Sequence, residues 1–581
     1  MSLVSRSTLY RFLAWLGVAL AGLWSFYPFI REPGLILFND WHVHLFWAKS
    51  FTEALHQGIW YPRWLAQSNS GYGAPVFIYY APLPYYTVGL VNLWFNDIGK
   101  SLQAVNGIGF IGSGVTAYLL FRCYAARLPA ALAAMAYATS PELLLYGYAL
   151  NMPSTVFASL WIPLVFYAIH HLQGWQPYRM AGLAGVYALA IVSHILVGFQ
   201  IGVIALLWLL LISLNPAERH RLKPIITALA LGMLLAALYW LPMYLEKDLI
   251  HSEAEMGTGL RSWYTQLFLM AKPQWAAFRY AFPMMNQMNC TLALSLFTLI
   301  IAINYLSAPE VKARAKPALV FASFALFMML PASYGVWWLV EFMQDMEFPW
   351  RWQQFFALWS LALWAIFMSN LPHQLQATPH LRKALIGAAI FSTLPLLFSF
   401  YYYSLPISSR TLVPYDADDG SNPGRFATES QMTWVLAASR WDPKEYRPMT
   451  AGPNWRRVLL EDKTPTLILK TGVGHFYDYT ILNHYQSFQA NVTETAEIHL
   501  KTFYFPSWQA TLNSQPVALS PDPETGGIVL SIPPGQYLVE LKFVDSPIRT
   551  YSRYLSLSTA LLMALFLLAY THRTRKRPAL V

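Results

Sequence analysis

The chain has 581 residues, 56% hydrophobic and only 12% charged, with a mean hydropathy of +0.37. Soluble domains carry roughly 25% charged residues, so this composition excludes a wholly soluble protein and points to a polytopic membrane protein with room for one further domain. The net charge of +10 is no nucleic-acid footprint, because Lys and Arg gather beside the cytoplasmic ends of membrane helices; the bilayer is expected as a partner and nucleic acid is not. Cys123 and Cys290 do not make a disulfide framework.

In chain order, apolar segments of spanning length predict helices near 11–30, 102–122, 128–149, 153–171, 180–198, 200–214, 223–244, 289–306, 317–333, 351–369, 383–402 and 554–571. That is about twelve spans. An N-terminus inside leaves inner loops that hold 17 of the 39 Lys and Arg and 2 of the 29 acids. This bias has the sign of the positive-inside rule. Both termini are therefore expected in the cytoplasm, with the basic tail Thr571–Arg577 anchoring the last helix, and an inner (plasma) membrane is the expected location.

This orientation puts residues 31–100 outside as a first outer loop. Within it, Leu83–Trp94 is apolar but too short to span and reads as an interfacial or re-entrant helix. From Tyr403 to Arg553 charge, Asn, Thr and Gly return, and apolar runs shorten to strand length. Thr466–Lys470, Glu497–Phe505, Gly527–Ile532 and Tyr537–Phe543 are separated by turn signals such as Pro521-Asp522-Pro523. The expected organisation is a helical membrane domain over 1–402, an outer β-sandwich over 403–553, and a last helix with its tail over 554–581.

The first outer loop holds most of the candidate chemistry. Asp40, His42 and His44 lie within five residues, and Asp40 and His44 have i,i+4 spacing if a helix starts there. A carboxylate with an imidazole suits general-base work, and the three residues together suit a divalent metal with open positions. Arg63, in Trp60-Tyr-Pro-Arg-Trp64, is either a snorkelling cation in an aromatic belt or a clamp on phosphate, whose oxygens match the guanidinium fork. The Gly- and Pro-rich loop from Asn69 to Tyr86 carries Tyr79 and Tyr80, whose rings can stack on sugar or pack the loop. Farther along, His194 is an ionisable residue near the outer end of the fifth helix. Glu246 ends a helix after Tyr239-Trp-Leu-Pro. Arg351, in Phe348-Pro-Trp-Arg-Trp352, stands at a helix N-terminus that welcomes an anion. The chain has no P-loop, dinucleotide fingerprint, zincin motif or nucleophile elbow.

An acid shortly after the first helix, Gly58-Ile-Trp-Tyr-Pro-Arg-Trp64, and Gly71-Tyr-Gly-Ala-Pro75 followed by Tyr80-Ala-Pro-Leu-Pro-Tyr-Tyr86 together resemble the first outer loop of bacterial GT-C-type membrane proteins. The closest likeness is to the YfhO-like group and its relatives, labelled membrane proteins with a 6-pyruvoyl-tetrahydropterin synthase-related domain. Tyr239-Trp-Leu-Pro, Phe348-Pro-Trp-Arg and Tyr504-Phe-Pro-Ser-Trp508 add to it. Nothing in these residues calls for pterin chemistry. The resemblance implies a glycosyltransferase that takes a sugar from a polyprenyl-phosphate donor and passes it to a glycan, lipid or protein acceptor in the cell envelope, on the extracytoplasmic side. Asp40 would be the catalytic acid-base residue and His44 its orienting partner. Arg351 and Arg63 would hold the donor phosphate, and His194, Tyr79, Tyr80 and Glu246 would contact substrate. One departure stands out: relatives often carry a second acid at the outer start of the fourth helix, where this chain reads Tyr148-Ala-Leu-Asn-Met-Pro-Ser154. A non-catalytic glycolipid-binding or envelope-scaffolding protein is the main alternative, and a lipid or polysaccharide transporter a third.

Overall fold

The computed structural model describes residues 6–31, 35–36, 40–251, 290, 292–340, 343, 348–374, 379–404, 426–427, 446–451 and 465–575. The expected outer loop across 252–288, most of 405–464 and the end of the basic tail lie outside them. Each expected span has a helix at its place, but fewer of them are long and apolar enough to span. Among the described residues seven helices are long and apolar enough to span a membrane, or up to nine if each bent pair counts as one. The expectation of twelve is corrected by breaks that hydropathy averages over. Arg219–Leu235 and Ala237–Leu245 meet at 71°, and Pro309–Met328 and Pro331–Leu339 at 87°. The second break falls at Pro331, where the ring removes a backbone donor. Leu292–Asn304 is apolar but short. The two helices expected at 180–198 and 200–214 are Pro177–Ser193 and Ile195–Leu214, so the chain turns at His194, which is extended between them (φ −165°, ψ 113°).

The first outer loop folds as helices and turns against the outer end of this bundle. Trp41–His56 is helical and nearly all buried, with the Lys49–Glu53 pair on its exposed face. Gly58 ends it in the left-handed region (φ 82°), so that Ile59 N–H reaches Ala54 O at 3.0 Å. Leu83–Phe95 is the expected short helix; its Leu90, Leu93, Trp94 and Phe95 are exposed.

The C-terminal region is one antiparallel sheet of seven strands. A separate pair, β1 (Leu35–Ile36) with β2 (Phe426–Ala427), precedes it. The sheet comprises β3 (Leu467–Ile481), β4 (Tyr485–Phe503), β5 (Trp508–Leu512), β6 (Gln515–Val517), β7 (Ser520–Pro521), β8 (Gly527–Ile532) and β9 (Gly535–Phe543), in the order β6-β5-β9-β4-β8-β7 with β3 on the other edge of β4. On one side, β4 pairs with β9 through its first half and with β8 through its second. A strand that changes neighbours midway bends the sheet, and the register shifts along β3 add to this.

Among the described residues of the expected β-rich domain this bent sheet has no second sheet facing it. Phe488, Ala490, Val492, Ile498 and Leu500 alternate onto one face of β4. That face packs against Trp64, Ala66, Tyr72, Ile78 and Tyr79 of the first outer loop. The layer that a second sheet would supply comes from the membrane domain. Trp64 is the centre of it, fully buried and edge-on to Trp508, with Phe505 and Phe543 around it. Gly73 is required here: it is left-handed (φ 80°), and a Cβ would lie 2.4 Å from the Trp64 ring. From Pro547 the last helix runs through to Arg575.

Candidate functional site

The candidate residues separate into two clusters. The first lies at the outer end of the bundle and begins with Asp40, the residue before the Trp41–His56 helix. Its carbonyl accepts the His44 N–H at 3.0 Å, while its side chain makes no capping bond. Its charge acts instead on the hydroxyl of Tyr85. His44, 3% exposed, has Nδ1 2.7 Å from that same hydroxyl and packs against Trp47 and Tyr80. Burial and the neighbouring His42 push the His44 imidazole down to about 3, so it is neutral at ordinary pH. Burial holds the Tyr85 hydroxyl well above its usual range, so it stays protonated and can donate to that nitrogen.

The remaining members come from distant segments. Arg351 and His44 are both electrostatic neighbours of His194, whose Nδ1 is buried without a hydrogen-bond partner among the described residues. Arg351 lies in the turn Pro349–Trp352 that opens the Gln353–Gln374 helix, with its guanidinium over the Phe348 ring. Its charge also acts on Tyr146, and so does that of Glu142. Glu142 is 1% exposed. It forms no ion pair among the described residues; Ser140 and its own backbone N–H are the polar groups that face its carboxylate. After Glu142 the helix becomes a π-helical turn, Leu145–Ala149, then Asn151 is left-handed (φ 49°), and a new helix starts at Pro153. Such π-turns are frequent at functional sites.

The second cluster binds the sheet to the bundle. Arg63 Nε is 3.0 Å from Asp545, Arg549 Nε is 3.1 Å from Glu246, and Arg549 lies 3.9 Å from Asp545. Ser546 bonds Glu246, and Ser507 bonds Arg549. Arg63 and Arg549 are 2% and 1% exposed. The Tyr79 hydroxyl donates to the Glu246 carbonyl at 2.8 Å, and the Tyr79 carbonyl accepts from Tyr239. Of the residues expected at donor phosphate (Arg63) and substrate (Tyr79, Glu246), Arg63 pairs here with Asp545, and Tyr79 and Glu246 bond each other, with Glu246 also paired to Arg549. Tyr80, one residue on, faces the other way and belongs to the first cluster.

The expected metal set does not assemble. Among the described residues no group of three or more His, Cys, Asp or Glu side chains could hold an ion.

Sequence reading missed several members. Glu142 was overlooked because it sits inside a greasy run, before the segment searched for an acid; the Ser140-Pro141-Glu142 break was the available signal. Tyr446, from the C-terminal region, packs on Trp47 and Tyr80, and Arg447 donates to the Asn69 side chain at 2.8 Å. Asp545 and Arg549 had no motif at all.

The fold and these clusters define a polytopic membrane protein whose C-terminal sheet is docked on the segment from Trp64 to Tyr79. The chain belongs to the family of membrane proteins with a 6-pyruvoyl-tetrahydropterin synthase related domain, which it matches over residues 77–403. No curated protein matches it in sequence. Two solved structures of an oligosaccharyltransferase from Archaeoglobus fulgidus align with it. The apo form covers 79% of this chain and 69% of its own, at 12% identity and a TM-score of 0.44. The complex with Zn and sulfate covers 78% and 67%, at 13% identity and a TM-score of 0.42.

Proposed function

We propose that the protein is a membrane glycosyltransferase of the inner membrane that moves a sugar from a polyprenyl-phosphate donor to an acceptor hydroxyl or amide on the outer side. Both termini are cytoplasmic in this reading, and residues 403–553 are external. The observation that carries it is the run of neighbours from separate segments that leads from Asp40, at a helix start, through Tyr85, His44 and His194 to Arg351 at the opening of another helix, with Glu142 and Arg351 both acting on Tyr146.

Asp40 takes the proton of the acceptor as its oxygen or nitrogen attacks the anomeric carbon. The bond from that carbon to the phosphate oxygen breaks, and the electron pair leaves with the lipid phosphate. Arg351, at a positive helix end, stabilises that charge. Neutral His44, held by Tyr85, acts as a fixed wall beside Asp40 rather than a proton carrier. His194 and Tyr80 contact the sugar. The metal-binding expectation contributes no step, since the ligand set does not fit.

The test is mass analysis of envelope glycans in cells lacking the protein, restored with wild type or with Asp40→Asn. Loss of a glycan that wild type restores and Asp40→Asn does not supports transfer. Restoration by Asp40→Asn points to the binding or scaffolding alternative.

A further inference from the structure

The turn between β3 and β4 grips the first outer loop through one imidazole. His484 Nε2 lies 3.1 Å from the Arg63 N–H and 3.2 Å from the Trp64 N–H and accepts from both. Beside it, Asn483 Oδ1 accepts the Ala66 N–H at 2.9 Å, and the Asn483 N–H and carboxamide both donate to Gln57. The His484 carbonyl accepts from Phe543, and its ring packs on Phe543. A ring nitrogen that accepts two backbone N–H groups must be unprotonated. A proton there would turn the acceptor into a donor facing two donors, and both bonds would be lost.

We propose that His484 is a protonation-gated latch: neutral, it fixes Arg63 and Trp64 to the sheet and so holds the loop that carries Tyr80 and Tyr85; protonated, it lets that loop go. The role is regulatory and goes beyond glycosyl transfer; it stands whichever reaction the first cluster performs.

The charged groups around the ring come from three elements. Arg63 on the loop and Arg549 on the last helix oppose a proton on His484, while Asp545, between β9 and that helix, favours one. Glu246 faces Arg549 and is one step removed. Burial outweighs them and pushes the docked imidazole down to about 4. The undocked ring titrates near its ordinary 6.5. The undocked state therefore takes up a proton first as pH falls. Docking is complete above about 6.5 and weakens progressively toward 4.

The test is hydrogen exchange of the full-length protein in nanodiscs, read as protection factors for the peptide spanning 60–72. Between pH 7.5 and pH 3.5 protection should fall by on the order of a hundredfold, while β8 and β9 keep theirs. His484→Gln supplies an acceptor oxygen that does not titrate and should hold protection across the range. Histidine C2–H exchange on the wild type gives the midpoint of His484 itself, a readout that needs no variant to fold. That midpoint should lie well below 6.5, and loop protection should fall across the window between 6.5 and that midpoint. An ordinary midpoint, a loop transition outside that window, or an identical acid response in a folded His484→Gln protein would overturn the latch.

Discussion

The two buried polar clusters contain similar residue types and differ in how charge is balanced. At the joint, both carboxylates, Asp545 and Glu246, lie within 4.0 Å of a guanidinium from another segment. At the bundle mouth, Glu142 is as deeply buried but has no ion pair among the described residues, and His194 Nδ1 has no partner. Burial alone therefore does not separate a structural charge from a functional one. Charges that satisfy each other hold elements together. An ionisable group kept dry without an opposite charge costs free energy, and a fold retains that cost where the group serves something else.

The largest expected effect breaks the joint. Arg549→Ala leaves Glu246 buried and unpaired, which costs about 3–5 kcal/mol; thermal unfolding in detergent should show the loss. Asp40→Asn sharpens the contrast from the other side. Stability should change by no more than about 0.5 kcal/mol, while transfer falls at least ~10²-fold, read by activity and melting on the same sample. Acid should act on both regions with one sign. His44 and His484 are pushed down in the folded protein, to about 3 and about 4, so the unfolded chain binds the extra protons. Their contribution to stability is whole above about 6.5 and shrinks as pH drops through that window, which melting curves at stepped pH would register. The smallest effect belongs to Arg553, which pairs with Asp545 but is 47% exposed. Arg553→Ala should cost at most about 1 kcal/mol, and a loss equal to that of Arg549→Ala would erase the distinction drawn here.

Much of the helical layout was legible because apolar runs and charge asymmetry are local signals. The span count was not, since a bend at Ala236 or Pro331 leaves hydropathy unchanged. The strands at 527–532 and 535–543 were readable from alternation and turns. What covers the sheet was not, because the layer from Trp64 to Tyr79 lies some 400 residues earlier. At the site, Asp40, His44, His194 and Arg351 stood out as polar residues among apolar ones. Arg63 and Glu246 stood out for the same reason and are ion-paired in the joint. What decides between the uses is a partner such as Asp545 or Arg549, and sequence spacing carries no trace of such a pairing.

The central claim is that Asp40 and Arg351 divide the work of sugar transfer. It is tested most directly by measuring, on the purified full-length protein in lipid, both binding of a polyprenyl-phosphate sugar and its single-turnover transfer. Asp40→Asn should bind the donor as wild type does and fail to transfer, while Arg351→Ala should lose transfer by about 10²–10³-fold with weakened donor binding as well. Transfer by Asp40→Asn at the wild-type rate would contradict the account.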